Sequence, residues 1–172
     1  DFVFVFVGRL VGDKGINELI NAFEKLQNEF QNCSLLLVGP FEDDLDPLLI
    51  KTKISIKKKE KIILTGYQED VRIYYAMSDV FVFPSYREGF PNVVMQAGAM
   101  NLPSIVTDIN GCNEIINDGE NGWIIPVKDE MSLSNAMQNC LLNKQQVLKL
   151  AQNARELITT RYAQQKVWDA IL

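Results

Sequence analysis

Residues 79–96, DVFVFPSYREGFPNVVMQ, contain the pattern that decides the fold. They open with a stretch, residues 79–83, that is apolar on both faces, which is typical of a central strand in a parallel sheet. Pro84 ends this strand, and a polar loop then leads into a helix predicted over residues 92–100. A buried strand, a loop and a helix in this order are one unit of an α/β fold.

The same alternation of strand and helix extends in both directions along the chain. Residues 2–7, FVFVFV, form another all-apolar strand, and the spacing of apolar residues predicts a helix over residues 15–30. Short connections between alternating elements predict a Rossmann-like, three-layer α/β/α domain with a parallel sheet of about six strands. The other strands are predicted at residues 34–38, 62–64, 104–106 and 122–125. The other helices are predicted at residues 43–57, 70–77 and 113–116, and residues 129–172 are predicted to form two helices with a break near residues 142–143.

Composition limits the classes of protein to consider. A chain of 172 residues suits one hydrophobic core, and its net charge of -5 argues against a nucleic-acid-binding surface spread over the domain. The chain contains no histidine, which removes the commonest general base and metal ligand. Cys33, Cys112 and Cys140 are odd in number and widely spaced, so we predict buried, reduced thiols.

The loop after the first strand carries two basic residues. In residues 8–15, GRLVGDKG, Arg9 and Lys14 stand beside a helix N-terminus, where a pyrophosphate is already favoured. Gly8 would let the backbone approach such a ligand closely. The spacing matches neither the GxGxxG of dinucleotide sites nor a P-loop. The alternative interpretation is a turn with two solvated basic side chains.

The loop after residues 79–83 is the second candidate site. It exposes Glu88, and a helix starts near Pro91 and Asn92, where Asn92 could serve the free amides of the first turn. Gln96 lies two helical turns further on, so Glu88 and Gln96 can border one pocket. The alternative is a capped helix beside an exposed glutamate. The backbone N–H groups expected to face a ligand are those of Gly89, Phe90, Asn92 and Val93.

Two other features receive structural interpretations. The acidic run in residues 42–46 is read as a solvated helix start and not as a metal site, because consecutive loop carboxylates are usually solvated. Trp123 and Trp168 are interpreted as core or interface anchors and not as platforms for a sugar.

Residues 8–15 together with residues 78–126 resemble the C-terminal domain of GT-B retaining glycosyltransferases of the family 4 type. The resemblance covers nearly the whole chain, and the motifs keep their order, their spacing and their places at strand ends. It implies a nucleotide-sugar (donor) binding domain over residues 1–172, with an N-terminal acceptor domain absent from this chain. It also implies transfer of a hexosyl group with retention, without a metal or other cofactor.

The resemblance further implies a role for each matching position. Arg9 and Lys14 would hold the donor diphosphate, and Glu88, the first acid of a Glu-x7-Glu element, would contact the sugar hydroxyls. The second acid, which usually binds the ribose, is replaced by Gln96, and a glutamine lacks the charge-assisted hydrogen bond. The other implied donor contacts are Gly8, the sugar loop Gly89, Phe90 and Pro91, the helix start Asn92 and Val93, and Gly66 and Tyr67 beside the base.

The implied partners are a UDP- or GDP-sugar and an acceptor glycan or lipid-linked glycan, in bacterial surface polysaccharide synthesis. The full-length enzyme is expected in the cytoplasm, peripherally at the inner membrane, through a docking surface on the absent domain. This chain alone is expected to bind nucleotide weakly and to transfer little sugar. The alternatives are a GT-B-like sugar-nucleotide 2-epimerase, disfavoured by the missing histidine, a non-catalytic module with a decayed donor site, and a flavodoxin-like regulator, disfavoured by the basic first loop.

Overall fold

Six parallel strands and seven α-helices alternate along the part of the chain, residues 1–162, that the computed structural model describes. The strands are β1 (Phe2–Val7), β2 (Cys33–Val38), β3 (Ile62–Gly66), β4 (Val80–Phe83), β5 (Ser104–Thr107) and β6 (Gly122–Ile125). The helices are α1 (Ile16–Glu29), α2 (Ile50–Lys58), α3 (Arg72–Ala76), α4 (Asn92–Ala99), α5 (Cys112–Ile115), α6 (Glu130–Leu142) and α7 (Lys144–Arg161).

The strands lie in the order β3-β2-β1-β4-β5-β6. The chain therefore runs outward from β1 to β3, returns to place β4 on the other side of β1, and continues outward to β6. The direction of winding reverses between β1 and β4, so the loops that leave these two strands diverge and open a crevice. Ligands of such sheets bind at this crevice, outside the carboxyl ends of the strands.

The centre of the sheet is formed by the two strands that the sequence marks as apolar on both faces. β4 is buried throughout, and β1 at every position except Val3. Their phenylalanines pack on one another: across the two strands, the rings of Phe6 and Phe83 stack with centroids 5.9 Å apart, and within β4 those of Phe81 and Phe83 stack with centroids 5.7 Å apart. Both strands are therefore confirmed as central, and they give the crevice a rigid floor.

Helices cover both faces of the sheet, which confirms the predicted three-layer arrangement. α1 contacts α2 and α6 in one layer, and α4 contacts α5 and α7 in the other. α1 shows why the periodicity was informative, since its apolar face is buried and its charged residues, apart from Glu18 with its buried Oε2, lie on the other side. The buried residues of α1 are Ile16, Leu19, Ile20, Ala22, Phe23 and Leu26.

Helix α2 begins later than predicted. The sequence indicated a helix from residue 43, but residues 43–49 form turns and irregular backbone, and the helix starts at Ile50. Pro47 disfavours helical backbone at Asp46, whose carbonyl instead accepts a hydrogen bond from the backbone N–H of Gly12 at 2.9 Å. The acidic cluster therefore does not cap α2.

The start of α2 is fixed by a side chain from α1. Asn17 Oδ1 accepts hydrogen bonds from the backbone N–H of Leu49 at 3.1 Å and from the hydroxyl of Thr52 at 2.8 Å. Thr52 is buried, so its hydroxyl depends on this partner. One asparagine thus joins the first turns of two helices.

The cysteines and Trp123 behave as predicted. Cys33, Cys112 and Cys140 are free and buried. Burial raises the pKa of Cys33 and raises the pKa of both Cys112 and Cys140 to about 12, so these thiols stay protonated near neutral pH. Trp123 is partly buried against the core. Trp168 lies outside the described residues, so its prediction is untested.

We expect Asn17→Ala to lower the free energy of unfolding by about 1–3 kcal/mol, because the buried Thr52 hydroxyl loses its acceptor. Urea unfolding monitored by circular dichroism measures the change. Asn28→Ala, on the exposed side of the same helix, is the matched control and should stay within about 0.5 kcal/mol of the parent. Equal effects of the two substitutions would contradict the role of Asn17.

Candidate functional site

The loops that follow β1 and β4 are bound to each other at the crevice. A single 3-10 turn, Gly12–Lys14, lies against residues 84–88. The backbone N–H of Tyr86 donates to the carbonyl of Asp13 at 2.8 Å, and the carboxylate of Asp13 pairs with Arg87 at 3.4 Å. The two predicted site segments are therefore parts of one structure.

Gly15 permits this contact. Its backbone is left-handed, with φ 69°, and a Cβ at this position would lie 2.1 Å from the carbonyl oxygen of Pro84. Only glycine fits such an approach. Gly15 also ends the 3-10 turn and precedes the first residue of α1, so the backbone turns directly from the loop into the helix.

Lys14 and Glu88 form an ion pair above the end of β4. Lys14 Nζ donates to Glu88 Oε1, and the two side chains are only 14% and 15% exposed. The hydroxyl of the fully buried Ser85 donates to the same Oε1 at 2.7 Å. Lys14 Nζ also lies 5.7 Å from the ring centroid of Phe83. Both charges are therefore held in place and partly shielded from water, where electrostatic interactions are stronger than on the open surface.

Arg9 has a more exposed environment. Its guanidinium pairs with Glu42 at 3.1 Å, and the two side chains are 47% and 36% exposed. Such exposed pairs contribute little to stability. Arg9 also lines a cavity of about 250 Å³ together with Gly8 and Tyr67, while Gly66 ends the neighbouring strand β3. Four predicted donor contacts, Gly8, Arg9, Gly66 and Tyr67, thus lie at the carboxyl ends of β1 and β3.

Gln96 lies in a separate, larger cavity of about 540 Å³ between α3 and α4. Glu88 is not among its lining residues, so the expectation that Glu88 and Gln96 border one pocket is not met for this cavity. The reason is that the Glu88 carboxylate turns toward Lys14 and Ser85. Val71 lines both this cavity and the smaller one, so the two adjoin.

The larger cavity already contains charged groups. Its lining includes Glu69, Asp70 and Arg72 beside Gln96. Asp70 pairs with Arg72 at 2.6 Å, and hydrogen bonds from Arg72 lower the pKa of Asp70 to about 2. Carboxylates are therefore present beside the position at which the resemblance expected a glutamate.

The start of α4 differs from the prediction at Asn92. Pro91, and not an asparagine, occupies the N-cap with extended backbone, and no side chain caps the helix. Asn92 is already helical and exposed, so it cannot serve as the cap. The backbone N–H groups of Asn92 and Val93 are consequently left to a ligand or to water.

A third loop supports the sugar-loop segment. Gly111, with φ 78°, comes so close that a Cβ there would lie 2.4 Å from the carbonyl oxygen of Gly89 and 2.8 Å from Cδ of Pro91. Phe90, between them, is 44% exposed, and its ring meets that of Tyr162 with centroids 5.6 Å apart. The segment 89–91 is therefore positioned by the loop after β5.

Sequence reasoning missed the residues that hold Glu88 and its loop. Ser85 donates to Glu88, and the hydroxyl of Thr107 donates to the carbonyl of Ser85. Cys112 lies close to Glu88, which adds to the effect of burial in raising the pKa of its thiol. The available signal was Ser85 itself, a small polar residue at the end of a fully apolar strand and three residues before Glu88.

The acidic run is engaged in ion pairs on this side of the domain. Glu42 pairs with Arg9, and Asp43 pairs with Lys53 of α2 at 2.6 Å. The run therefore neutralises nearby cations, in place of the helix start that the sequence suggested.

Known proteins match this chain along nearly all of its length. The family model described as "Glycosyl transferases group 1" matches residues 1–157. The capsular polysaccharide biosynthesis glycosyltransferase CapM of Staphylococcus aureus is 28% identical over 171 residues, which cover 99% of this chain and 45% of CapM. The chain thus spans about half the length of this curated relative.

Solved structures agree with this match. Anabaena HepE, solved in complex with UDP, superposes with a TM-score of 0.88 at 21% identity, over 99% of this chain and 48% of HepE. The C-terminal domain of the group 1 family protein LpcC from Francisella tularensis gives a TM-score of 0.85 at 26% identity, over 94% of this chain and 86% of that domain. The predicted resemblance and fold are confirmed: the chain belongs to the glycosyl transferases group 1 family and has the fold of the C-terminal domain of its GT-B members.

Proposed function

We propose that this domain binds a nucleoside-diphosphate sugar and that the full-length protein transfers the hexosyl group to an acceptor hydroxyl with retention at the anomeric carbon. The observation that carries the proposal is the partly buried Lys14–Glu88 pair at the crevice between β1 and β4. A fixed cation beside a fixed carboxylate suits a ligand with an anionic part and a hydroxyl-rich part.

Lys14 and Arg9 are proposed to bind the diphosphate. Both residues follow β1. The uncapped start of α4, which follows the neighbouring strand β4, offers further backbone N–H donors. During transfer the bond between the anomeric carbon and the diphosphate oxygen breaks, and negative charge develops on that oxygen. The two cations would stabilise this charge, a preorganised electrostatic effect that often dominates catalysis. The acceptor oxygen would attack the same face, and its proton would pass to the leaving phosphate.

Glu88 is proposed to contact the sugar. Ser85 and Lys14 both donate to Oε1, so Oε2 can accept a hydrogen bond from a sugar hydroxyl. The segment 89–91, supported by Gly111, lies next to this carboxylate. These contacts would orient the sugar while the cations hold the diphosphate.

The nucleoside is proposed to occupy the adjoining cavities near Tyr67 and Gln96. UDP is the first nucleotide to test, because HepE, which shares the fold, was solved in complex with UDP. CapM acts in capsular polysaccharide biosynthesis, by its description. We therefore propose a glycan or lipid-linked glycan as acceptor, and a full-length enzyme that works in the cytoplasm at the membrane face.

A second candidate function is a non-catalytic nucleotide-sugar module with a decayed donor site. The observation that favours it is Gln96, a neutral residue at the position where the resemblance places the ribose-binding acid. Titration with nucleotides separates the two candidates, because a decayed module should bind none of them up to millimolar concentrations.

We expect the 172-residue chain to bind UDP measurably, and Arg9→Ala and Lys14→Ala each to weaken binding by about tenfold or more, because each removes a charge-assisted hydrogen bond. Calorimetric titration with UDP, GDP and ADP measures the affinities. Arg155→Ala, an exposed charge removal on α7, is the control and should leave binding unchanged.

Lys14→Ala also leaves Glu88 without its cation, so thermal unfolding must be measured on each variant. In a longer protein that includes the acceptor half, either substitution should reduce the transfer rate about 100-fold. Unchanged affinity and unchanged transfer in both variants would rule out the diphosphate assignment.

Ser85→Ala should affect the sugar and spare the diphosphate. Without the Ser85 hydroxyl, Glu88 loses one of the two donors that position it. We expect UDP-glucose binding to weaken about fivefold or more, by the size of one hydrogen bond to a carboxylate, and UDP binding to change little. Ser78→Ala, which removes a hydroxyl bonded to the carbonyl of Tyr74, is the matched control. Equal losses for both ligands would argue against a sugar contact at Glu88.

Gln96→Glu tests the ribose position. If Gln96 faces the ribose, a carboxylate there should strengthen UDP binding by up to about tenfold, because charged acceptors form stronger hydrogen bonds. Glu69 and Asp70 in the same cavity would reduce this gain by repulsion. Gln145→Glu on the exposed side of α7 adds the same charge elsewhere and should have no effect. Weaker UDP binding by Gln96→Glu would place the ribose elsewhere.

A further inference from the structure

Helix α2 exposes isoleucines on the side that faces solvent. Ile50 is 78% exposed and Ile54, one turn later, is 46% exposed. Thr52 and Ile56 are the residues that the helix buries against the domain. Because the helical spacing places residues 50 and 54 opposite this buried side, the two isoleucines form an outward ridge.

Exposed lysines flank this ridge. Helical spacing places Lys51 and Lys58 along one side and Lys57 along the other, and all three are exposed. The helix, IKTKISIKK, contains no acidic residue, although the whole chain has a net charge of -5. The outer face of α2 is therefore a local concentration of positive charge around an apolar ridge.

The nearby acidic residues cancel only part of the charge of this helix. Glu60 follows the helix, and Glu130 of α6 is close enough to Lys51 for their charges to interact. The other acidic residues precede the helix, in residues 42–46, where Glu42 pairs with Arg9 and Asp43 pairs with Lys53 of α2. The same segment adds one more exposed apolar side chain, Leu45, at 64%.

The position of α2 leaves the crevice free. The helix packs on α1 and on β3, the edge strand of the sheet. β3 is separated from the crevice between β1 and β4 by β2. A partner that covers the outer face of α2 would therefore sit at the edge of the domain, beside the donor site and not over it.

We propose that the outer face of α2, formed by Ile50, Ile54, Lys51, Lys57 and Lys58, docks on the surface of an anionic lipid bilayer. Isoleucines can enter the boundary between headgroups and acyl chains, while lysine stems extend so that the ammonium groups reach anionic headgroups. A symmetric contact between the α2 faces of two copies of the chain is disfavoured, because the lysines of each copy would meet like charges.

The proposed docking is peripheral, because it uses only the outer face of one surface helix. Between residues 1 and 162, none of the helices combines the length and the apolar character needed to cross a bilayer. The inference is independent of the proposed transfer reaction, since none of the five residues contacts the crevice loops described above. It also differs from the expectation that docking belongs to the absent domain alone.

Sedimentation with vesicles tests the proposal on the 172-residue chain. We expect binding to phosphatidylcholine vesicles that contain phosphatidylglycerol, little binding to phosphatidylcholine alone, and loss of binding as salt is raised. Lys51→Gln with Lys58→Gln should weaken binding about 25-fold, at about fivefold for each lysine. Ile50→Ser with Ile54→Ser should weaken it about tenfold or more through lost apolar burial.

Two double substitutions elsewhere are the matched controls. Ile73→Ser with Met77→Ser removes an exposed apolar pair of the same spacing on and just after α3, where the side chains are 61% and 55% exposed. Lys149→Gln with Arg155→Gln removes two exposed charges from α7. Both should bind vesicles like the parent, and circular dichroism should show that all four variants are folded.

Several results would overturn the proposal. The parent chain could fail to bind anionic vesicles, or it could bind neutral vesicles equally well. The control variants could also lose as much vesicle binding as the α2 variants. Light scattering tests whether a second copy of the chain occupies this face. If the parent chain is a dimer and Ile50→Ser with Ile54→Ser dissociates it, the face is a subunit contact and the proposal is wrong. The comparison of the parent on the two vesicle types does not depend on how any variant folds.

Discussion

The carbonyl oxygen of Pro84 approaches Gly15 so closely that a Cβ there would lie 2.1 Å away. This contact joins two loops that are far apart in sequence but leave neighbouring strands. It forces Lys14 over the ring of Phe83 and next to Glu88. The geometry of the ion pair is therefore set by backbone packing. The attraction between the two charges, which are partly shielded from water, further stabilises this geometry.

The two basic residues differ in how they are prepared for a ligand. An ammonium group has three donors, and Glu88 takes one from Lys14, so a phosphate can be added to this pair without breaking it. Arg9 pairs with Glu42 near the surface and must exchange a carboxylate for a phosphate. In the proposed reaction, Lys14 would supply preorganised charge, which is the more effective form for stabilising a leaving group, and Arg9 would first have to leave Glu42.

Much of the fold could be predicted because β1 and β4 are apolar on both faces and α1 is strictly periodic. The start of α2 could not, because it depends on tertiary hydrogen bonds. Asn17 of α1 accepts from the backbone N–H of Leu49, and the carbonyl of Asp46 accepts from the backbone N–H of Gly12. The family resemblance assigned Lys14 and Glu88 to one donor site, but their direct pairing and the support from Ser85 depend on the paths of two loops. Local patterns carry no information on such paths.

The exposure of the crevice rim supports the prediction that this chain, as the proposed donor-binding domain, binds nucleotide weakly by itself. Tyr67 is 75% exposed and Phe90 is 44% exposed, so the proposed site is open to water at both ends. Water screens the charges that would hold a diphosphate, and closing such a site strengthens every electrostatic contact inside it. Since the chain spans 45% of CapM, a further segment of a longer protein could supply this closure. The isoleucine ridge on α2 lies at the edge of the sheet. A segment that covered the crevice would therefore leave the ridge exposed and able to contact a membrane.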